Sequence, residues 1–240
     1  RKIYLNDDGE LLQVGDLLKN PDMGRTYKQI ADEGVGVFYE GKIAKAIDAD
    51  MQANGGLLTK KDLAQCQPVV NSPLRGSYRG FDIASNPLPG GGLMIIEMLN
   101  ILENFDLAAM GHNSSAYIAT VAEAMKLATI DKDRSMGDPN FIDVPIAELS
   151  SKAYARSLAE RIRNGDKANV ERFNTGAPES KDTTHLVVAD SDGNIVNVTH
   201  SLGSSSGVIT EGLGFMYNNC MMVFDPRPDQ IGSLAPGKAR

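Results

Sequence analysis

The hydrophobic periodicity of this 240-residue chain changes near residue 183. Up to residue 172 the apolar residues recur at the spacing of amphipathic helices. From Thr184 onward they alternate with other residues in the runs "THLVVA" and "NIVNVTHS", as in strands. A helical block over 1–172 followed by a β-rich block over 183–225 predicts a protein of the α+β class.

Capping and turn residues divide these blocks into elements. Gly34 and Gly55 mark helix ends, and Thr59, with Asp62 behind it, marks a helix start. The predicted helices are "DMGRTYKQIADEG", "EGKIAKAIDADMQANGG", "LTKKDLAQC", the buried "GLMIIEMLNILENF", "SSAYIATVAEAMKLATIDKDRS" and "SSKAYARSLAERIRNG". Two short strands are predicted in "LRGSYRGFDIAS", with turn signals at its two glycines, and a further strand in "GFMYNNCMMVF".

Composition excludes several classes of function. The net charge is −7 with no large Lys/Arg cluster, so we expect no nucleic-acid partner. No apolar run approaches the roughly 18 residues of a membrane span, so we expect no membrane partner either. The two cysteines and three histidines are too scattered for a metal site, and no metal or organic cofactor is implied. The start "RKIYLNDDGE" is not a signal peptide, and we expect a processed product or a fragment whose compartment is unknown.

The dipeptide Asp192-Gly193 predicts a β-hairpin between two β-rich runs. With a loop of two or three residues, Thr183 lies opposite Ser201 or Leu202. The hairpin then brings a second hydroxyl beside Thr183, which follows directly on a polar segment. The residues alone leave two interpretations open: a functional pair of hydroxyls, or a threonine that favours a strand and a serine that begins a loop.

Two other motifs resemble known sites but lack their context. "GSSSG" around Ser205 matches the nucleophile elbow of α/β-hydrolases, yet the β-rich "VITEGLGF" follows where a helix is needed, so we predict a Gly/Ser loop. "DKDRSMGDPNFID" resembles a calcium-binding EF-hand loop, but Met136 and Ile142 stand where that loop needs Gly and Glu, which favours a helix end and a turn.

Five segments together resemble a known family over nearly the whole chain. They are "FYEGKIAKAIDADMQANGGLLTKKDLA", "LRGSYRGFDI", "GGGLMIIEMLNILENFDLAAMGHNS", "DRSMGDPNFIDVP" and "TTHLVVADSDGNIVNVTHSLGSSSGV". In this order they resemble the γ-glutamyltranspeptidase family of N-terminal-nucleophile hydrolases, and the "TTH" before a "DGN" hairpin is the most specific of them. The resemblance implies a four-layer αββα sandwich, which this chain contains only in part.

The family resemblance also implies self-cleavage and a nucleophile. By match, the precursor is cut at Asp182–Thr183. Residues 1–182 then resemble the later part of a large subunit, and residues 183–240 the opening of a small subunit that stays associated with it. The freed Thr183 is the implied nucleophile. Ser201 matches a second Thr hydroxyl that hydrogen-bonds the nucleophile in the family.

The substrate-binding positions depart from the family. Where the family binds the α-ammonium of a γ-glutamyl group through an Asn, a Gln or Glu, and an Asp, this chain has Gly203, Cys220 and Val223. Cys and Val provide no ammonium acceptor. Asp225 shares a face with Val223 only if the strand continues, and Pro226 favours a turn there. The family's Arg for the substrate carboxylate and its oxyanion hole match no segment of this chain, so we expect the chain alone to be inactive.

These observations predict an amidohydrolase or acyltransferase that works through an acyl-Thr183 ester on a small γ-glutamyl or acyl amide. Two alternatives stay open. One is an acylase of the same fold whose substrates lack a free α-amino group. The other is a non-catalytic homologue or inert fragment that is never cleaved. By resemblance alone the parent protein is periplasmic or secreted, and the sequence does not specify its exact substrate, its acceptor or its subunit count.

Overall fold

The computed structural model describes residues 3–171, 183–203, 205–225, 227–228 and 231–233. The chain forms two compact units, one from Arg1–Val69 with Pro178–Cys220 and one from Val70–Ala177 with Met221–Arg240. In chain order the elements are α1 (Pro21–Glu33), α2 (Gly36–Tyr39), α3 (Lys42–Asn54), α4 (Lys60–Gln65), β1 (Leu74–Tyr78), β2 (Phe81–Ser85), α5 (Gly92–Leu102), α6 (Leu107–Met110), α7 (Ser115–Ser135), α8 (Ile146–Leu149), α9 (Lys152–Arg163), β3 (Thr183–Ala189), β4 (Ile195–Ser201) and the 3₁₀-helix η1 (Cys220–Val223).

The predicted α+β class is confirmed: the described residues contain helices and two small antiparallel sheets, β1–β2 and β3–β4. No helix among the described residues is long and apolar enough to cross a membrane. The four-layer sandwich implied by the family resemblance stays a prediction. The two compact units also do not follow the division at residue 183, because each takes residues from both sides of it.

The first unit contains helices α1 to α4, which bury a small apolar core. Asn20 accepts a hydrogen bond from Met23 N at the start of α1, and Pro21 occupies the first turn, where a missing N–H costs little. Thr59 and Asp62 form a complete capping box on α4. The core consists of Val37, Ile43, Ala44, Ile47, Leu63 and Leu213. Leu213 brings the segment after the hairpin into this core.

The second unit surrounds the apolar helix α5, which packs against β1, β2, α7, α8 and α9. Leu93, Ile96 and Ile101 are at most 2% exposed, as the absence of a polar stripe in the helix predicts. One turn prediction in this unit is wrong. Gly76 lies inside β1, and a Cβ there would come within 2.9 Å of the Ile96 side chain, so this glycine allows the strand to approach α5 closely.

The strand predicted in "GFMYNNCMMVF" is also wrong. Residues 214–217 have no regular structure, Asn218 makes an isolated bridge with Ser205, and η1 follows directly. Asn218 Oδ1 accepts from Cys220 N at 3.0 Å and so caps the 3₁₀ turn. The side chains of Phe215 and Tyr217 pack instead on the core of the first unit. Long-range packing therefore overrides the local preference of this segment for a strand.

Candidate active site

The hairpin register places Thr183 directly opposite Ser201. The β3–β4 loop runs from Asp190 to Asn194, and Asp190 Oδ1 accepts hydrogen bonds from the backbone N of both Asp192 and Asn194. Gly193 adopts a φ of +83°, which glycine reaches without strain. Hydrogen bonds from Asn194, first from its side chain and then from its backbone, lower the pKa of Asp190. The loop chemistry thus sets the pairing that was predicted from the sequence.

Two hydroxyl groups meet at the open end of this hairpin. Thr183 Oγ1 donates to Ser201 Oγ at 3.2 Å, which is longer than the roughly 2.5–3.0 Å usual between hydroxyls. Both residues are exposed, and Thr183 is the first residue of β3. The predicted proximity of the two hydroxyls is confirmed. Their roles in a reaction stay predictions, and Asp182, on the other side of the predicted cut, lies outside the described residues.

The chain after Ser201 turns back on the hydroxyl pair. Gly203 N donates to Ser201 Oγ at 3.1 Å, so the serine oxygen is positioned from two sides. Gly203 adopts a φ of +70°, and a Cβ placed on it would lie 3.4 Å from Cys220 Sγ. Asn219 N also donates to Leu202 O at 2.9 Å. Residues Thr183, Ser201, Gly203 and Cys220 therefore form a connected group within the first unit.

The third substrate position predicted from the family, Val223, is the last residue of η1, within the second unit. The geometry also removes the possible substitute. Asp225 does not continue a strand, and its two oxygens accept hydrogen bonds from the Arg227 guanidinium at 3.0 and 2.7 Å. Cys220 has an exposed thiol beside Gly203. The Asp225 carboxylate forms an ion pair with Arg227.

A buried polar contact holds the segment that carries Cys220. Thr210 Oγ1 donates to Asp50 Oδ2 on α3 at 2.6 Å and lies 2.6 Å from the Tyr217 hydroxyl. Burial raises the pKa of the Tyr217 phenol. Thr26 on α1 donates to Leu213 O at 2.8 Å. Sequence reasoning missed the contacts of Thr210 with Asp50 and of Thr26 with Leu213, because these partners lie 160 and 187 positions apart and no local pattern links them.

A second polar rung follows the hydroxyl pair on the same face of the hairpin. His185 pairs with Thr199, and His185 Nδ1 lies 2.8 Å from Thr199 Oγ1. Because side chains alternate between faces along a strand, Thr183 and His185 share one face and Thr184 lies on the other. The site is therefore a polar strip that starts at the first residue of β3, the position a chain terminus would occupy after cleavage before Thr183.

Comparison with known proteins identifies the family of the chain. The sequence profile of the family Gamma-glutamyltranspeptidase matches residues 1–239. The glutathione hydrolase proenzyme of Escherichia coli K12 is 40% identical over 92% of this chain and 39% of its own length. The acylase ACY 1 proenzyme of Pseudomonas sp. V22 is 40% identical over 96% of this chain and 42% of its own.

A solved structure gives the same result. The cephalosporin acylase from Bacillus halodurans superimposes with a TM-score of 0.79 and 30% identity, over 96% of this chain and 42% of that one. The chain therefore belongs to the γ-glutamyltranspeptidase family, whose named relatives are enzymes. It spans about two fifths of the length of the curated relatives it matches.

Proposed function

We propose that this chain carries the nucleophile of an amide hydrolase or acyltransferase of the γ-glutamyltranspeptidase type, and that the nucleophile is Thr183. The observation that carries the proposal is the contact of 3.2 Å between Thr183 Oγ1 and Ser201 Oγ at the start of β3. A threonine hydroxyl reacts poorly unless a base removes its proton. Cleavage before Thr183 supplies that base, because the freed α-amino group has a pKa of about 7.7–8.0 in model peptides.

The reaction then has two steps. Thr183 Oγ1 attacks the carbonyl carbon of the amide, its proton passes to the α-amino group, and the C–N bond breaks as the leaving amine takes up that proton. The acyl group is left as an ester on Thr183. Water, or the amine of an acceptor, then attacks the ester and regenerates the hydroxyl. Ser201, positioned by Gly203 N, orients the threonine oxygen in both steps.

The processing proposal divides the chain at Asp182–Thr183. Residues 1–182 belong to the large subunit and residues 183–240 to the small subunit, and the two stay associated because both compact units contain residues from each side of the cut. Completion of an αββα sandwich requires elements beyond the described residues. The exposure of β3 and β4 on both faces and the greater length of the relatives support that larger assembly.

The test is a set of hydroxyl variants in the protein at its natural length. Thr183→Ala should abolish both self-cleavage and amide hydrolysis, because no other group replaces the attacking oxygen. Thr184→Ala is the matched control, since this neighbour points to the opposite face, and it should still be cleaved at least in part. Cleavage is followed by mass spectrometry of the purified protein and hydrolysis by release of p-nitroaniline.

Ser201→Ala refines the same experiment. It removes the hydrogen bonds of Ser201 Oγ with Thr183 Oγ1 and with Gly203 N, and only the first of these involves the attacking oxygen. A hydrogen bond between uncharged groups is worth about 0.5–1.5 kcal/mol, so the rate should fall by roughly tenfold or less. If Thr183→Ala still splits before residue 183, the assignment of the nucleophile is wrong. An intact wild-type chain at natural length would instead support the alternative of a non-catalytic homologue.

A second candidate function is an acylase that prefers acyl groups without a free α-amino group. Cys220, beside Gly203, offers a thiol where an ammonium needs an oxygen acceptor, and Asp225 is paired with Arg227. A hydrogen bond to a charged group is worth roughly 1.5–3 kcal/mol. The loss of two such bonds weakens γ-glutamyl binding by about 3–6 kcal/mol, or roughly a hundred- to ten-thousand-fold. One of the relatives reported above is itself named an acylase.

The two substrate classes are separated by kcat/KM for γ-glutamyl-p-nitroanilide and glutaryl-p-nitroanilide, which differ only in the α-amino group. We expect the glutaryl compound to be the better substrate. Cys220→Gln, which restores an amide acceptor, should shift the ratio toward the γ-glutamyl compound by about tenfold or more. A strong wild-type preference for the γ-glutamyl compound would show that other residues bind the ammonium, and the acylase candidate would be rejected.

A further inference from the structure

Helix α5 contains two polar side chains in the most deeply buried part of the second unit. Glu97 is 0% exposed and Asn100 is 1% exposed. Asn100 Nδ2 donates to Ser150 O at 2.8 Å, but its Oδ1 has no hydrogen-bond partner among the described residues. Neither carboxyl oxygen of Glu97 has one there either. Because residues three apart lie on the same side of a helix, these three acceptor atoms share one buried region.

Buried acceptors without donors are costly. A buried polar group without a partner destabilises a fold by about 1–3 kcal/mol, and a buried unpaired charge costs considerably more. The usual response of a carboxyl group is to keep its proton, which removes the charge and adds one donor. A protonated Glu97 would therefore bring a donor into a region where its own two oxygens and Asn100 Oδ1 have no partner among the described residues.

Among the described residues, the groups that act on Glu97 and its neighbours carry no positive charge. From α7, Asp131 faces the cluster and accepts a hydrogen bond from the Tyr154 hydroxyl of α9 at 2.8 Å. On α8 the Glu148 carboxyl also acts on Tyr154. Of the charged residues on β1 and β2, Arg75 and Asp82 are both exposed. The neighbours that act on the cluster are thus acids and a phenol.

This environment affects the titration of Glu97 in one direction. Burial, and next the neighbouring Asp131 carboxyl, raise the pKa of Glu97 from 4.5 to about 9. Burial and the Asp131 carboxylate likewise raise the pKa of Tyr154, so the phenol stays a donor. The Tyr154 hydroxyl therefore keeps its proton and its hydrogen bond to Asp131 Oδ2.

We propose that Glu97 is a buried proton-binding site, at which the folded second unit holds a proton that the unfolded chain releases. The acceptor of that proton is the neighbouring Asp131 carboxyl of α7. The proposal rests on the burial and the unpaired atoms of α5, and it does not depend on the reaction proposed for Thr183.

Proton binding by the folded state makes stability depend on pH. Below about pH 4.5 both states carry the proton, so Glu97 leaves stability unaffected by pH. Between that pH and about 9 only the folded state carries it, and rising pH favours unfolding. A full proton changes the unfolding equilibrium constant tenfold per pH unit, which corresponds to about 1.4 kcal/mol.

The experiment measures urea unfolding of the 240-residue chain between pH 5.5 and 8.5 for three proteins. Glu97→Gln keeps the shape of the side chain and donates without titrating, so its stability should gain on the wild type by up to tenfold in the unfolding constant per pH unit. Glu160→Gln is the control, because Glu160 is an exposed carboxyl on α9, and it should follow the wild-type pH profile. Parallel profiles for wild type and Glu97→Gln would overturn the proposal.

A direct measurement covers the case in which Glu97→Gln does not fold. In wild-type chain labelled with ¹³C, the side-chain carboxyl carbon of a buried Glu should show no ionisation shift below pH 8. If all glutamate carboxyl signals titrate near pH 4–5, Glu97 is charged and the proposal is wrong. An alkali cation is the competing occupant. Stabilisation by K⁺ or Na⁺ at constant ionic strength, lost in Glu97→Gln, would assign the site to that cation and reject the proton.

Discussion

Helix α5 and the β3–β4 hairpin are both rich in large apolar side chains, but their surroundings differ completely. Ile101 on α5 is 0% exposed and belongs to a core cluster formed with α7 and α9. Val188 on β3 is 53% exposed and Val196 on β4 is 59% exposed. The helix finds its packing partners within its own unit, whereas the described residues leave the hairpin uncovered. The helix therefore stabilises the second unit, whereas the side chains of the hairpin remain exposed to solvent.

The two faces of the hairpin carry different kinds of side chain. The register places Thr183, Ser201, His185 and Thr199 on one face, while the other carries the apolar side chains of Leu186, Val188, Val196 and Val198. A two-stranded sheet alone is only marginally stable in water. In the proposed sandwich the apolar face has a packing partner, which would hold the hydroxyl pair rigidly for reaction.

The largest expected change in the free energy of unfolding comes from a substitution in the buried helix α5. Ile101→Ala removes a side chain from a closed cluster, and such substitutions cost about 2–5 kcal/mol through lost burial and the cavity that remains. Ile118→Ala on α7 makes the same chemical change at a site that is 55% exposed. It should change the free energy of unfolding by less than about 1 kcal/mol. Urea unfolding of the 240-residue chain, followed by far-ultraviolet circular dichroism, gives both values.

If Ile101→Ala and Ile118→Ala lose equal free energy of unfolding, the contrast between the buried helix and the exposed hairpin does not hold for the helix. Equal losses would mean that α5 is not closed in solution as it is in the structure. If only Ile101→Ala loses free energy of unfolding, the contrast is strengthened, because the unit that contains α5 would then be stable without further chain.

Local signals in the sequence predicted most of the elements and the pairing at the candidate site. The cap at Thr59 and the terminal glycines of α1 and α3 were read correctly because helix ends depend on a few adjacent backbone groups. The Asp192-Gly193 turn predicted Ser201 or Leu202 opposite Thr183, and the structure has Ser201 there. The loop itself, from Asp190 to Asn194, is longer than the two or three residues expected.

Features that depend on distant packing were not predictable in this way. The segment around Phe215 has the composition of a strand, yet it packs on helices that lie far away along the chain. The sequence marks Gly76 as a turn residue, whereas its role, close contact of β1 with Ile96, depends on another element that no local pattern shows. The sequence gives no sign that Glu97 is buried, because a single acidic residue within an apolar helix can also face solvent. Only the folded unit shows that both its oxygens lack described partners. In each case the unpredicted feature depends on tertiary packing, which overrides the local preference of the segment.

The smallest expected change in the free energy of unfolding comes from a substitution in the β3–β4 hairpin. Val188→Ala in the 240-residue chain should change stability by less than about 1 kcal/mol, because strand propensities span only that range and the side chain is already half in water. Val35→Ala, at a site in the same unit that is 65% exposed, is the matched control. Amide hydrogen exchange of β3 and β4 is the sensitive readout, and in this chain it should be fast compared with that of α5.

The same substitution gives a sharper result in the protein at its natural length. If the sandwich covers the apolar face of the hairpin, Val188→Ala there loses two buried methyl groups, at about 0.8 kcal/mol each before any cavity cost. The amides of β3 and β4 should then be strongly protected, and the variant should reduce that protection while Val35→Ala does not. A loss of 2 kcal/mol or more already in the 240-residue chain would show that the hairpin is packed without further elements. The contrast between the covered helix and the exposed hairpin would then no longer hold.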